Sequence, residues 1–382
     1  MHDIIVVGGG PAGTLAARSL ADKKYDVLVL EEHSSAGVPL HCTGLISDDT
    51  IRMSGVRPDI LNTLYGMEVV FPSGQSIVIK SDKIKARIVD RIDMDIKMAE
   101  AAEDAGARFS YSDKYLSHTV GEQVSVESES GTHRAKVLVG ADGASSAVAA
   151  SMGGDNKPKE MIRGIQADVN YRMEDQEIFR IYVGSNVAPG FFAWEIPCGT
   201  FTRIGLCTSW SAGSPSGYLS KMLVERGLQN RVIQVYSGKI PFGGRPTIFG
   251  DRCMLLGDAT GMVKPLSGGG LYPAFRATEH LVNTLVNCMD SDSLFSRELS
   301  EYERLCSEDF GKELEKAFTL RKRFKNMSDA DFNKVYDYVM NNDLVPMLQD
   351  FSIDHPGDLI KELKSNPKAV LSAIPLFLRA LK

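Results

Sequence analysis

The residues whose spacing could do chemistry come first in the chain. Gly8, Gly10 and Gly13 stand in the pattern G-x-G-x-x-G directly after the apolar run Ile4 to Val7. In such a pattern the first glycine permits a tight turn, the second lets the backbone approach a pyrophosphate, and the third lets helix and strand pack closely. Ala12 lies inside the turn. The following residues, with Leu15, Ala16, Ala17 and Leu20 apolar, predict a helix whose N-terminus offers unpaired N–H groups and a positive dipole end. A second buried strand, Asp26 to Leu30, ends on Glu31, which stands about twenty residues downstream where an acid can accept the hydroxyl hydrogen bonds of a ribose. Glu32 follows it. Strand, glycines, helix and acid in this order point to dinucleotide binding; the bland alternative is an ordinary βαβ turn.

Two more glycine-rich turns follow apolar strands, at Ala141-Asp142-Gly143 and at Leu256-Gly257-Asp258-Ala259. Gly268, Gly269 and Gly270 then open a predicted helix at Leu271. Arg91 begins another predicted helix, which Gly106 ends. The loop from Gly37 to Gly44 carries Cys42. The six cysteines are scattered with no C-x-x-C pair, which argues against zinc or iron–sulfur ligation and against a disulfide framework, and no metal site is expected.

The elements that must position these residues are of three kinds. The glycine turns sit in βα patterns. Residues 67–80 read as a hairpin around Pro72-Ser73-Gly74, which departs from that pattern and belongs to another sheet. From 161 to about 240, segments such as IQADVNYRM and GFFAWEIP alternate like antiparallel strands, followed by a helix around 217–229. Beyond about 294 the chain reads as charged amphipathic helix. The nucleotide-binding pieces are therefore discontinuous: 1–65, 86–155 and 245–293, with a β-rich substrate domain of 66–85 and 156–244 and a C-terminal helical segment, 294–382.

At 382 residues the chain can bury a sizeable core, and 43% hydrophobic with 24% charged content is that of an ordinary globular protein. A net charge of −6 speaks against nucleic acid as a partner. The opening strand leaves no room for a signal peptide and no apolar run reaches the roughly eighteen residues of a membrane span. The expected location is cytoplasmic. The last sixteen residues, apolar with Lys368, Arg379 and Lys382, could touch a membrane peripherally at its cytoplasmic face; Pro375 interrupts them, and a packed terminal helix is the other reading.

Taken together, the three glycine turns resemble the flavoprotein group that includes aromatic-ring hydroxylases. The resemblance implies an α/β fold: an FAD-binding, Rossmann-like domain of the aromatic-hydroxylase type with an inserted antiparallel sheet and a helical C-terminal segment. It implies FAD as cofactor, as does the glycine pattern's place at the start of the chain. Asp258 would bind the ribityl–pyrophosphate region, Gly268 to Gly270 and Leu271 would border the flavin's pyrimidine edge, and Arg91 would lie along the cofactor, unless it is merely a solvated arginine at a helix start.

Within that group the chain resembles the geranylgeranyl reductase family, which saturates isoprenoid double bonds. Gly37-Val-Pro-Leu-His-Cys42-Thr-Gly44 is similar to the family's cysteine loop. Gly190-Phe-Phe-Ala-Trp194-Glu-Ile-Pro197 is similar to its P-x-Y-x-W-x-F-P stretch. Gly257-Asp258 with Pro265 and the triple glycine, and the helical tail, complete the likeness. Trp194 and Pro197 match; Gly190, Phe192 and Ile196 replace proline, tyrosine and phenylalanine. After Asp142-Gly143 the family often carries an arginine where this chain has Ala149.

The resemblance implies substrate contacts from Phe192, Trp194 and Pro197, with Cys42 and Trp194 positioning the substrate. The alternatives are a core aromatic for Trp194 and a small buried thiol for Cys42. The implied reaction is hydride transfer from reduced flavin to an isoprenoid lipid, a precursor of archaeal membrane lipids. The external donor stays open between NAD(P)H and a ferredoxin-type carrier protein. Rival readings are an aromatic-ring monooxygenase, an electron-transfer flavoprotein and a flavin-binding protein without turnover. The W-x-x-P stretch and cysteine loop weigh against the first, and the lack of a cluster ligand set against the second.

Overall fold

In the computed structural model, which describes residues 1–354, five strands run parallel in the spatial order Cys253–Leu255, Gly131–Gly140, His2–Val7, Val27–Glu31 and Arg108–Tyr111. Ile4, Ile5, Val6, Val27 and Val29 are wholly buried, as near-continuous apolar runs must be when helices cover a parallel sheet. Helices Pro11–Asp22, Arg91–Asp104 and Leu271–Asp290 pack on one another. Ala16, Ala17 and Leu20 share one core with Ala277, Leu281 and Leu285. The register sets Val7 beside both Leu30 and Gly140, and Gly140 beside Leu255. The residues that follow these strands therefore emerge at one edge: Gly8, Glu31, Ala141 and Leu256. In open α/β sheets that edge is where ligands bind.

A second, seven-stranded sheet runs Val232–Phe242, Glu160–Val169, Thr202–Ser209, Phe192–Pro197, Ile178–Val183, Gly66–Val70, Ser76–Lys80. The hairpin near 67–80 thus joins the β-rich segment, as its departure from the βα pattern predicted. Strand alternation divides the faces. Ala193, Ile204 and Leu206 turn outward under helix Pro215–Glu225. Trp194, Ile196 and Cys207 turn inward, toward Leu64, Ile88 and Val263.

A three-stranded sheet of Leu45–Ile46, Ala86–Val89 and Ile60–Leu64 was not legible beforehand. Its runs are only two to five residues long and mix polar with apolar side chains. The helices after 294 form as expected, over Ser296–Cys306, Lys312–Lys325 and Asp329–Asn341, with one π-helical turn at Ser307–Gly311. Phe332 packs with Phe71, Ile77 and Ile79, closing the hairpin. The expectation of helix over 355–382, and that of membrane contact by the last sixteen residues, lies outside the described residues. No described helix is long and apolar enough to cross a membrane.

Candidate functional site

The first glycine turn is shaped by contacts that only glycine permits. Gly8 has φ +103°, and a Cβ there would stand 2.4 Å from the Ala141 carbonyl oxygen; one at Gly13 would stand 2.0 Å from the Gly8 oxygen. A Cβ at Gly10 would meet nothing within 4 Å, so the backbone at this point faces open space. Helix Pro11–Asp22 starts there with no side-chain cap. A Cβ on Gly257 would lie 2.9 Å from that of Ala12, so the third glycine turn abuts the first. The three sequence motifs therefore meet.

Glu31 is buried and accepts the Gly9 N–H at 2.6 Å and the His33 N–H at 2.9 Å. His33 Nδ1 also lies 2.7 Å from Oε1, so of a carboxylate's about four lone-pair directions one remains for a ribose hydroxyl. Glu32 instead pairs with Lys114 at the surface, 2.8 Å away. Asp142 accepts from Ser146 Oγ and the Val148 N–H, at 2.6 and 3.0 Å, fastening the start of helix Ala147–Ser151. Burial nevertheless pushes its pKa up.

At the next turn Asp258 is only half-buried by area, yet protein surrounds its carboxyl closely enough that desolvation pushes its pKa up to about 6 against the pull of Arg91. Among the described residues no hydrogen bond reaches this carboxylate. It faces the triple-glycine turn, where a Cβ on Gly270 would come within 2.6 Å of its Oδ1. Gly270 begins helix Leu271–Asp290 without a side-chain cap. Leu271 leans on Met94 and Phe275 behind the turn.

Arg91 is neither solvated nor free: it is buried and forks to Asp95 one helical turn on, with Nη2 2.9 Å from Oδ1 and 3.1 Å from Oδ2. Gly44 draws this corner together, because a Cβ there would be 2.5 Å from the Val89 oxygen and 3.6 Å from both Arg91 Cγ and Arg203 Nη1.

The cysteine loop is tied to the second sheet by residues that sequence reading passed over. Gln166 Nε2 donates to the Cys42 oxygen at 3.1 Å, and Arg203 Nη1 donates to the Thr43 oxygen at 2.8 Å. Arg203 also forks to buried Asp168, at 2.7 and 2.9 Å. The available signal was charged and amide side chains on the inward phase of two predicted strands, positions that are otherwise apolar.

Trp194 belongs to the buried inward face and lies over Gly205, whose Cβ would be 2.6 Å from the indole Cζ2 and 2.5 Å from Gln166 Cβ. Among the described residues, the indole N–H and Gln166 Oε1 are both buried without a partner. Phe192 stacks on Phe191, with centroids 4.2 Å apart, and meets Trp194 edge-on at 6.1 Å. Phe191 in turn borders the glycine turn, 3.6 Å from where a Cβ of Gly268 would stand. Pro197 ends its strand with its oxygen bonded by Asn62 Nδ2 at 2.8 Å. The structure thus joins an aromatic, inward sheet face to the glycine turn.

These features fit FAD: open space beside the Gly10 backbone before an uncapped helix, an acid at the end of the second strand, and the Asp258 carboxylate, which accepts no hydrogen bond among the described residues, beside a second uncapped helix.

Residues 1–212 match the family described as "FAD binding domain". Digeranylgeranylglycerophospholipid reductase 1 of Methanothermobacter thermautotrophicus is 30% identical, over 98% of each chain. Its namesake in Methanothrix thermoacetophila is 27% identical, over 96% of this chain and 97% of that one. Among solved structures, a geranylgeranyl bacteriochlorophyll reductase-like protein from Thermoplasma acidophilum superposes with a TM-score of 0.85 at 21% identity, covering 98% of this chain and 99% of the other. Pseudomonas putida p-nitrophenol 4-monooxygenase shares the fold at a TM-score of 0.69 and 17% identity, over 89% and 94%. With glycine turns, sheet order and full-length relatives in agreement, the chain belongs to the FAD-binding flavoproteins of the aromatic-hydroxylase fold and, among them, to the family of the digeranylgeranylglycerophospholipid reductases.

Proposed function

We propose that this protein is an FAD-dependent reductase that saturates carbon–carbon double bonds of geranylgeranyl chains on a glycerophospholipid. The names of its relatives support the substrate class. The observation in the molecule that carries the reading is the inward face of Phe191, Phe192 and Trp194, set directly against the Gly268 turn. A hydroxylase site must orient a polar aromatic ring; this face offers apolar and aromatic surface suited to a prenyl chain.

Bound FAD supplies the hydride equivalent. The chain's own residues supply position. Gly8, Gly10, Gly13 and Glu31 would hold the adenosine and pyrophosphate end. Asp258 and the turn from Gly268 to Gly270 would hold the flavin end. The aromatic face would hold the alkene in place beside the flavin end, which is the orienting role that a near-attack arrangement needs. Saturation of the double bond would take the hydride that FAD supplies at one alkene carbon and a proton at its neighbour. Burial of the inward face excludes water from the reacting carbons. The buried Arg203–Asp168 pair holds Thr43, and with it the cysteine loop, over this face.

An anaerobic experiment tests the proposal. The FAD-loaded protein is reduced chemically and given a lipid bearing geranylgeranyl chains; flavin reoxidation should match the product's gain of one hydrogen pair per turnover. Trp194→Ala should slow that reoxidation while leaving the flavin bound. Reduced flavin that persists until air is admitted would overturn the proposal, and oxygen-dependent hydroxylation of an aromatic would replace it.

A further inference from the structure

Beside the triple-glycine turn lies an ion pair that no motif contains. Lys264 and Asp354 are both buried, at 8% exposure each, and Nζ stands 2.8 Å from Oδ1. Nζ also donates to the Ile353 oxygen at 2.8 Å. The second carboxylate oxygen of Asp354 takes the Ser47 hydroxyl, at the cap of helix Asp48–Ser54, and the Thr50 hydroxyl at 3.3 Å. Asp354 is thus held from both sides, by the loop before the glycine turn and by the end of the cysteine loop's short strand.

Lys264 is built into the turn itself. Its N–H donates to the Gly269 oxygen at 3.2 Å, and its own oxygen accepts from the Gly268 N–H at 2.9 Å. Its side chain lies against Gly269, where a Cβ would be 2.7 Å from Cε and 3.2 Å from Nζ. On the next residue the Asp258 carboxylate makes the matching approach to Gly270. Two opposite charges therefore flank one turn, and Lys264 carries a buried counter-charge whereas Asp258 accepts no hydrogen bond among the described residues. Burial works against the Lys264 ammonium and lowers its pKa despite Asp354.

Reduction adds negative charge to the pyrimidine end of a flavin. A cation in a desolvated setting stabilises it there, and a paired anion offsets the effect. We propose that Lys264 and Asp354 are a positioning pair that sets the reduction potential of FAD at the 268–270 turn, Lys264 raising the potential and Asp354 holding it down. The proposal rests on the flavin's pyrimidine edge lying at that turn, and it does not depend on the identity of the lipid.

The test is a set of flavin midpoint potentials, measured spectroscopically with FAD bound. D354N should raise the potential and K264M should lower it, each by at least tenfold in the oxidised-to-reduced equilibrium, or about 30 mV for a two-electron couple. The double variant K264M/D354N should return toward the wild-type value. K264R/D354N, whose arginine stays charged, should keep the raised potential even if a lone buried lysine loses its proton. Structural loosening would move both single variants the same way. That result, or potentials that stay within threefold of wild type, would overturn the proposal. Placement of the flavin is checked separately by FAD titration of G270A, with its fold confirmed by circular dichroism. Weakened binding supports the placement; unchanged binding would remove it, and the proposal with it.

Discussion

Under the proposed reading, Asp258 would serve the cofactor at the expense of the protein without it. Its carboxyl would ionise near 3.8 in the unfolded chain and near 6 in the folded one, because the folded protein desolvates it. Between those pH values the folded state binds more protons than the unfolded state. Stability of the FAD-free protein therefore falls as pH rises from about 4 to about 6, and the loss persists above that range. Asp258→Asn removes the titration. In the FAD-free protein it should raise stability at pH 7 by up to ~2 kcal/mol, once partial exposure of the group is allowed for. It should also flatten the melting temperature across the acid range in calorimetry. FAD affinity should fall in the same variant, since the acceptor's charge is gone. A wild-type melting temperature that does not decline across that range would count against this account.

Among the elements, the inward face of the seven-stranded sheet depends on what is missing at Gly205. The strand Thr202–Ser209 presents no side chain there, and the Trp194 indole and the Gln166 side chain, on the strands to either side, close over the space. A methyl group would collide with both neighbours, neither of which is a free-swinging terminus. Gly205→Ala should therefore cost about 1–3 kcal/mol through overpacking and tilt the indole off its bed. The expected signature is selective. Prenyl reduction falls and Trp fluorescence shifts, while FAD affinity, which belongs to the other sheet, stays near wild type. Equal losses of FAD affinity and turnover would mean that the two sheets are not separable in this way. The cysteine loop shows the same dependence between elements, being held by Gln166 and Arg203 from strands more than a hundred residues downstream.

For the whole molecule, the described helices between Ser296 and Asn341 form an integral wall. Arg321 on helix Lys312–Lys325 is fully buried, forks to Glu160 at 2.9 and 3.0 Å, and lies over the rings of Phe191 and Phe242 at 5.1 and 4.6 Å. It thus props the same Phe191 that borders the glycine turn. Lys325, 3.1 Å from Glu160, would still partner the acid if Arg321 were removed. Arg321→Ala should accordingly destabilise by about 3 kcal/mol, at the lower end for a broken buried pair. Because the helix, the sheet and the glycine turn are joined through Phe191, urea denaturation should still show flavin release and helix loss in one coincident transition. Helix loss well before flavin release would show that this part unfolds by itself.

Much of this was legible from order and spacing alone. The glycine turns announce themselves because glycine is demanded by backbone contacts of 2.0–2.4 Å, as at Gly13 and Gly8, and a requirement so strict survives in the residue type. The apolar runs from Ile4 and Val27 are equally plain, since strands buried on both faces tolerate little else. Asp258 was legible through its motif, and its full-length relatives agree with the family that the motifs resemble. Less was legible where a residue's role depends on a distant partner. Arg91 reads as a solvated arginine or a cofactor contact until Asp95 is seen beside it. Glu32 looks like Glu31's companion until Lys114 draws it to the surface.

The sequence by itself thus determined the dinucleotide turn and the alternation that makes a second sheet, because local backbone geometry and burial periodicity act within a few residues of where they are written. FAD as the dinucleotide came from the resemblance of the three motifs as a set. Only the tertiary structure decided which side chains face one another across the site. Lys264 meets Asp354, Trp194 covers Gly205 and Arg321 supports Phe191 through contacts between segments far apart in the chain. Such contacts depend on how sheets and helices stack, and short-range pattern carries no record of them.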